Sequence, residues 1–143
     1  MFENVMVKDW MINPVITIDA SSPISSAHQM MKNNNVRRLP VLNNDKLVGI
    51  VTIGDVREAS PSDATTLSIW ELNYLWAQLT VEKVMTSSPL TVSSDTPILE
   101  AAETMLEKKV SGLPVVDEDK LVGILTESDI FRMLVKSRTS QAI

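Results

Sequence analysis

Leu39-Pro40-Val41, then Asp45-Lys46-Leu47-Val48-Gly49-Ile50, then Thr52 and Asp55, return 74 positions later. There they read Leu113-Pro114-Val115, Asp119-Lys120-Leu121-Val122-Gly123-Ile124, Thr126 and Asp129. Outward from this stretch the register holds without a gap, Val7–Glu58 falling on Val81–Arg132 with 19 of 52 pairs identical. Self-similarity at a fixed offset marks a duplicated structural unit. A unit of about 50 residues is marginal alone, and two copies packed together share buried surface.

Each copy reads the same way. A short apolar run, Val15–Ile18 or Leu90–Val92, opens it as a strand. Pro23 and Pro97 suit a first helical turn, with Ser22 and Thr96 as side-chain caps before them. Ile98, Ala101, Ala102, Met105 and Leu106 recur at helical spacing, matched by Ile24, Ala27, Met30 and Met31, and the Asn33-Asn34-Asn35 run ends the first helix. Leu39–Leu42 with Lys46–Thr52, and Leu113–Val116 with Lys120–Thr126, flank short polar connections and read as antiparallel hairpins. A second helix follows each Thr. In the second copy it covers Glu127–Lys136, with Ile130, Phe131 and Leu134 as its apolar face. The unit is β-α-β-β-α, an α/β (α+β) fold.

Between the copies, Ser60–Thr66 reads as a loop and Leu67–Leu79 as a linker helix. That helix is apolar on two sides. Ile69, Leu72, Trp76 and Leu79 form one, and Trp70, Tyr74 and Ala77 add another. One side is expected to meet its own domain and the other a partner chain. The domains expected are 7–66, a linker helix over 67–80, 81–137, and a flexible tail over 138–143.

Composition excludes several functions. The 143-residue chain carries a formal charge of -5, the wrong sign for non-specific duplex binding. It has no cysteine and one histidine, which removes disulfides, thiolate nucleophiles and multi-histidine metal sites. No basic stretch precedes an apolar run at Met1-Phe2-Glu3-Asn4, and no segment is long and apolar enough to span a membrane. A cytoplasmic location is expected. His28 lies mid-helix opposite Ala102 and reads as a helix residue, so no catalytic or metal residues are expected.

The repeated Gly-x-x-Thr-x-x-Asp is the candidate site. Thr52 with Asp55, and Thr126 with Asp129, resemble capping boxes and need no further role. Two carboxylates at equivalent helix starts also suit the hydroxyls of a ribose, and first-turn N–H groups suit phosphate oxygens. Arg37 and Arg38 precede the Leu-Pro strand of the first copy and suit phosphate. Ser111 and Gly112 replace them in the second copy and leave room for a planar base. Thr17 and Thr91 match each other near the first strands.

Ser111–Asp117 with Leu121–Ile130, and Arg38–Val41 with Leu47–Val56, resemble the CBS motif, the domain named after cystathionine β-synthase. Trp10-Met11 and Val84-Met85-Thr86 resemble its usual entry. The chain is similar to a stand-alone CBS pair, or Bateman module, and Leu72-Asn73-Tyr74-Leu75 resembles the acetoin-utilisation-like members. The resemblance implies two motifs packed as a pseudo-two-fold pair with an extra linker helix. It implies a non-enzymatic regulatory module for AMP, ADP, ATP or S-adenosylmethionine, held in clefts between the motifs. It gives ribose to Asp55 and Asp129, and ribose or phosphate to Thr52 and Thr126. It gives adenine to Val15, Ile16, Thr17, Arg38, Leu39 and Pro40, and to Pro89, Leu90, Thr91, Ser111, Gly112, Leu113 and Pro114. It implies a flat homodimer through helical faces, here including the Trp70/Tyr74 helix, and a regulated partner. The first copy departs from the pattern at Ile53-Gly54, where Gly54 weakens the first helical turn. The acidic surface repels polyphosphate unless Arg37 and Arg38 face the cleft. The rival expectation is a structural or interaction pair whose Asp and Thr residues only cap helices.

Overall fold

A computed structural model describes residues 1–59 and 68–141. The expected loop Ser60–Thr66 lies outside the described residues. The chain forms two compact units that do not coincide with the two sequence copies. One unit is continuous, Ile16–Pro89. The other joins Met1–Val15 to Leu90–Ile143.

The continuous unit holds a four-stranded sheet: β1 (Ile18–Asp19), β2 (Arg38–Asn43), β3 (Lys46–Thr52) and β4 (Thr86–Ser87). β1 runs parallel to β2, and the other neighbours are antiparallel. Helix α1 (Ile24–Asn34) precedes β2, and α2 (Ile53–Ala59) follows β3 directly. α3 (Ile69–Gln78) and the single turn α4 (Val81–Val84) lead into β4. Ile24, Ala27 and Met31 bury one face of α1 against Leu39, Val41 and Val51. Val56 and Val81 complete this core.

The discontinuous unit repeats the plan. A 3-10 turn, Val7–Asp9, stands first. α5 (Ile98–Lys108), β5 (Gly112–Asp117), β6 (Lys120–Thr126) and α6 (Glu127–Gln141) follow. Single bridges replace the outer strands, Val92 to Val115 in parallel and Ile12 to Ile124 in antiparallel. Val7, Ile98, Ala101, Met105, Leu113, Val115, Leu125 and Met133 form its core.

The hairpins arise from their turn residues. Asn43 pairs with Lys46 and Asp117 with Lys120, which leaves two-residue loops. Asn44 and Asp45 have φ of 51° and 65°, and Glu118 and Asp119 repeat this at 49° and 65°. Two consecutive positive φ values give the turn whose twist matches paired strands. α1 and α5 end on left-handed residues, Asn35 and Lys109. The asparagine run thus stops α1 as expected, by a cap that asparagine tolerates well.

Several expectations need correction. The opening strands shrink to Ile18–Asp19 and to a single bridge at Val92. Ser22 and Thr96 are not the caps: Pro23 and Pro97 occupy that position, without a side-chain cap. The first helical N–H groups are satisfied from elsewhere, Ile24 N–H donating to Leu79 O at 2.8 Å and Ile98 N–H to Val5 O at 2.9 Å. A backbone carbonyl from a distant segment replaces the hydroxyl. On α6, Phe131 and Leu134 are exposed, and Met133 and Asp129 are buried beside half-buried Ile130. α6 also runs to Gln141, so residues 138–141, expected as tail, are helical. The linker helix, expected to reach Leu79, ends at Gln78 as α3; Leu72, Trp76 and the capping Leu79 are half-buried, as expected of its inner side, whereas Trp70, Tyr74 and Leu75 are exposed.

Candidate ligand-binding site

Each hairpin delivers its second strand straight into a helix, and the repeated Thr stands at that junction. The strand register places Arg38 opposite Thr52 and Gly112 opposite Thr126. The first helical N–H groups are tied back to the residue before the Leu-Pro strand. Ile53 N–H donates to Arg37 O at 2.7 Å, and Glu127 N–H donates to Ser111 O at 3.1 Å. Each unit therefore gathers its own Thr, Asp and pre-strand residues around one helix start. Leu39, Pro40, Leu113 and Pro114 are buried behind them.

The two carboxylates differ. Thr52 N–H donates to Asp55 Oδ2 at 2.8 Å, and Asp55 N–H donates back to Thr52 Oγ1 at 3.2 Å. This is the reciprocal cap expected of the pattern. The Oδ1 atom of half-buried Asp55 accepts no hydrogen bond among the described residues. Asp129 Oδ2 accepts from Thr126 N–H at 2.8 Å and from the Thr126 hydroxyl at 3.2 Å. Its Oδ1 is taken by Arg132 at 2.5 Å, and the residue is 1% exposed. A buried carboxylate with both oxygens bonded is satisfied, and releasing its cation leaves an uncompensated charge. The repeat counterpart of Arg132 is Glu58, which offers Asp55 no cation. The motif itself, with Thr and Asp in both copies, does not distinguish the two sites. The signal was available as an opposite charge at one aligned position.

The remaining candidates are more scattered. Ile16, Thr17 and Pro89 belong to the continuous unit, and Val15, Leu90 and Thr91 belong to the other. Thr91 lines a cleft of about 510 Å³ with Ser93, Thr96 and Glu100, which Asp129 does not line. Arg37 lines a different cleft, with side chains of α1 and of the α2 face away from Asp55. Arg38 is half-buried across from Thr52. Among the described residues no three His, Asp or Glu side chains are grouped to hold a metal.

The CBS domain family matches this chain at residues 7–62 and again at 81–136. A CBS domain-containing protein of Dictyostelium discoideum is 33% identical over 134 residues, covering 92% of each chain. Other relatives are longer, and the chain spans 24% of a homoserine O-acetyltransferase of Methanohalobium evestigatum. Among solved structures, the CBS domain pair of protein MJ0100, in complex with 5-methylthioadenosine and S-adenosyl-L-methionine, is 31% identical. Its TM-score is 0.77, covering 93% of this chain and 98% of that one. CBSX2 in complex with AMP is 30% identical, also with a TM-score of 0.77 and the same coverage. Two matched β-α-β-β-α copies, each closed by the Gly-x-x-Thr-x-x-Asp junction, agree with these likenesses, and the chain belongs to the CBS domain family as a tandem pair.

Proposed function

We propose that the protein is a sensor that binds an adenosine-containing ligand without transforming it. AMP, ADP, ATP and S-adenosylmethionine are the candidate ligands. Asp55 is its competent ribose acceptor. The observation that carries this reading is the Asp55 carboxylate, held in place through one oxygen while the other accepts nothing from the described residues. A preorganised carboxylate accepts a ribose hydroxyl through a charge-assisted bond. Two of the structural relatives hold adenosine compounds. Asp129 is masked by Arg132 and takes ligand only when that pair opens. The reading places the protein in the cytoplasm, among the nucleotides it would sense. No described helix is long and apolar enough to cross a membrane.

Isothermal titration with AMP and with S-adenosylmethionine tests this. The expected stoichiometry is one ligand per chain. Asp55→Ala should weaken binding by about 10- to 100-fold, the worth of a hydrogen bond to a charged group. Arg132→Ala should unmask the second carboxylate and move the stoichiometry toward two. Heat that is absent at millimolar ligand, or unchanged in D55A, leaves the Thr–Asp pairs as helix caps and the protein as a structural pair.

The proposal extends to self-association. Trp70 and Tyr74 on α3 are 81% and 66% exposed, and Leu75 is exposed beside them. Adjoining exposed apolar side chains mark an interaction face, and a second copy is the commonest partner of a soluble chain. Trp70→Ser with Tyr74→Ser should convert a dimer into a monomer in analytical ultracentrifugation. A monomeric parent protein would refute this part.

A further inference from the structure

We propose a second anion site in the continuous unit, on the face of α2 that Asp55 does not occupy, which takes a compact multivalent oxyanion of the di- or triphosphate type. A cleft of about 360 Å³ is lined there by His28, Lys32, Arg37 and Arg57, with Met31 and Ile53 among its apolar lining. Three elements converge on it. His28 and Lys32 are one turn apart on α1, and so share a side of that helix. Ile53 and Arg57 are likewise one turn apart on α2. Asp55 lies two residues from each, about 200° around the axis. Arg37 is fixed by its own carbonyl, which accepts the first N–H of α2. The His28 ring stacks at a tilt on Trp76, with centroids 6.2 Å apart.

Four basic side chains around one cleft in a chain of charge -5 need an explanation. None of the four forms an ion pair with a carboxylate of the described residues. A solvated basic face would be the ordinary explanation, but the fold does not require one. The matching positions of the other copy are Ala102, Leu106, Ser111 and Phe131. Leu106 and Phe131 there are exposed to solvent. The same surface of the same motif is thus uncharged in one copy and cationic in the other. The duplication kept the Thr–Asp junction in both and concentrated the cations in one. Guanidinium and ammonium groups from separate elements suit an anion with several oxygens, which each can bond at once.

Titration of the full chain with inorganic tripolyphosphate at low salt tests the site. One equivalent should bind, with affinity that falls as salt rises. Lys32→Gln with Arg57→Gln should weaken it about tenfold or more, and should leave adenosine binding unchanged. Asp55→Ala should leave tripolyphosphate binding unchanged, so this site and the ribose site fail separately. The proposal is overturned by absence of saturable binding, by indifference to the double variant, or by loss of tripolyphosphate binding in D55A. It is also overturned if the double variant changes the assembly size and not the affinity.

Discussion

Deleting residues 1–12 is expected to unfold the unit built on 90–141 while β2, β3 and α1 of the other unit stay protected. The segment looks like a leader to the first copy, yet it is structural material for the second. Val7 is fully buried among Ile98, Leu113 and Leu125, and Phe2, Val5, Trp10 and Met11 pack against the same core. From Val5 to Ile12 every backbone N–H is bonded. Val7 N–H donates to Thr96 O, Lys8 N–H to Ser94 O, and Ile12 and Ile124 exchange both of their bonds. Each large apolar side chain removed from a core forfeits about 1.5–3 kcal/mol. Losing several approaches the whole stability of a small domain, about 5–15 kcal/mol. Hydrogen exchange by mass spectrometry reads both units at once. Protection retained over 98–133 in the shortened chain would show that the segment is dispensable.

The second large effect has a sign that depends on which glycine is replaced. A Cβ at Gly49 would stand 2.8 Å from Thr86 O and closer still to Met85 Sδ. The methionine end can swing aside, but Thr86 is backbone in β4, whose neighbour Ser87 pairs with Gly49 itself. Gly49→Ala should therefore cost about 1–3 kcal/mol through overpacking. At Gly123 the backbone neighbour, Ile12 O, lies 3.1 Å from the built Cβ, so Gly123→Ala should cost less. Gly54 stands in the first turn of α2 with only Thr52 Oγ1 near, at 3.5 Å. Its φ is not positive. Gly54→Ala should raise stability by about 0.5–1 kcal/mol, the helix propensity difference. Urea melts of the three variants give the order, and a Gly49→Ala protein as stable as its parent would remove close strand approach as the reason for the glycine.

The hairpins and helices were legible because their determinants are local. Turn residues, the apolar period and the asparagine stop all lie within a few positions of what they specify. The caps were misread because the groups that satisfy Ile24 and Ile98, Leu79 O and Val5 O, are more than fifty residues away in the chain. No local pattern announces them. Phe131 and Leu134 were misread because an amphipathic period fixes a stripe but not which of two apolar stripes is inward. Met133, which lies between them, carries the burial instead. The Thr–Asp junctions were found as a motif, whereas the inequality of Asp55 and Asp129 rests on a third residue outside it. Arg37 stands out in the sequence as a cation just before the Leu-Pro strand. The company it keeps, His28, Lys32 and Arg57, is brought together only by the packing of α1 on α2.

The discontinuous unit also bears on how the protein is made. Synthesis delivers residues 1–15 well before their partners, which begin at Leu90. The continuous unit needs nothing beyond Pro89, so it is able to assemble on the ribosome while the amino-terminal piece waits unsatisfied. Closing that long gap adds little loop entropy beyond a shorter one, because the cost grows only with the logarithm of length. The burden is exposure in time: Phe2, Val5 and Trp10 remain open to chaperones and to other nascent chains until their core partners between Ile98 and Met133 emerge.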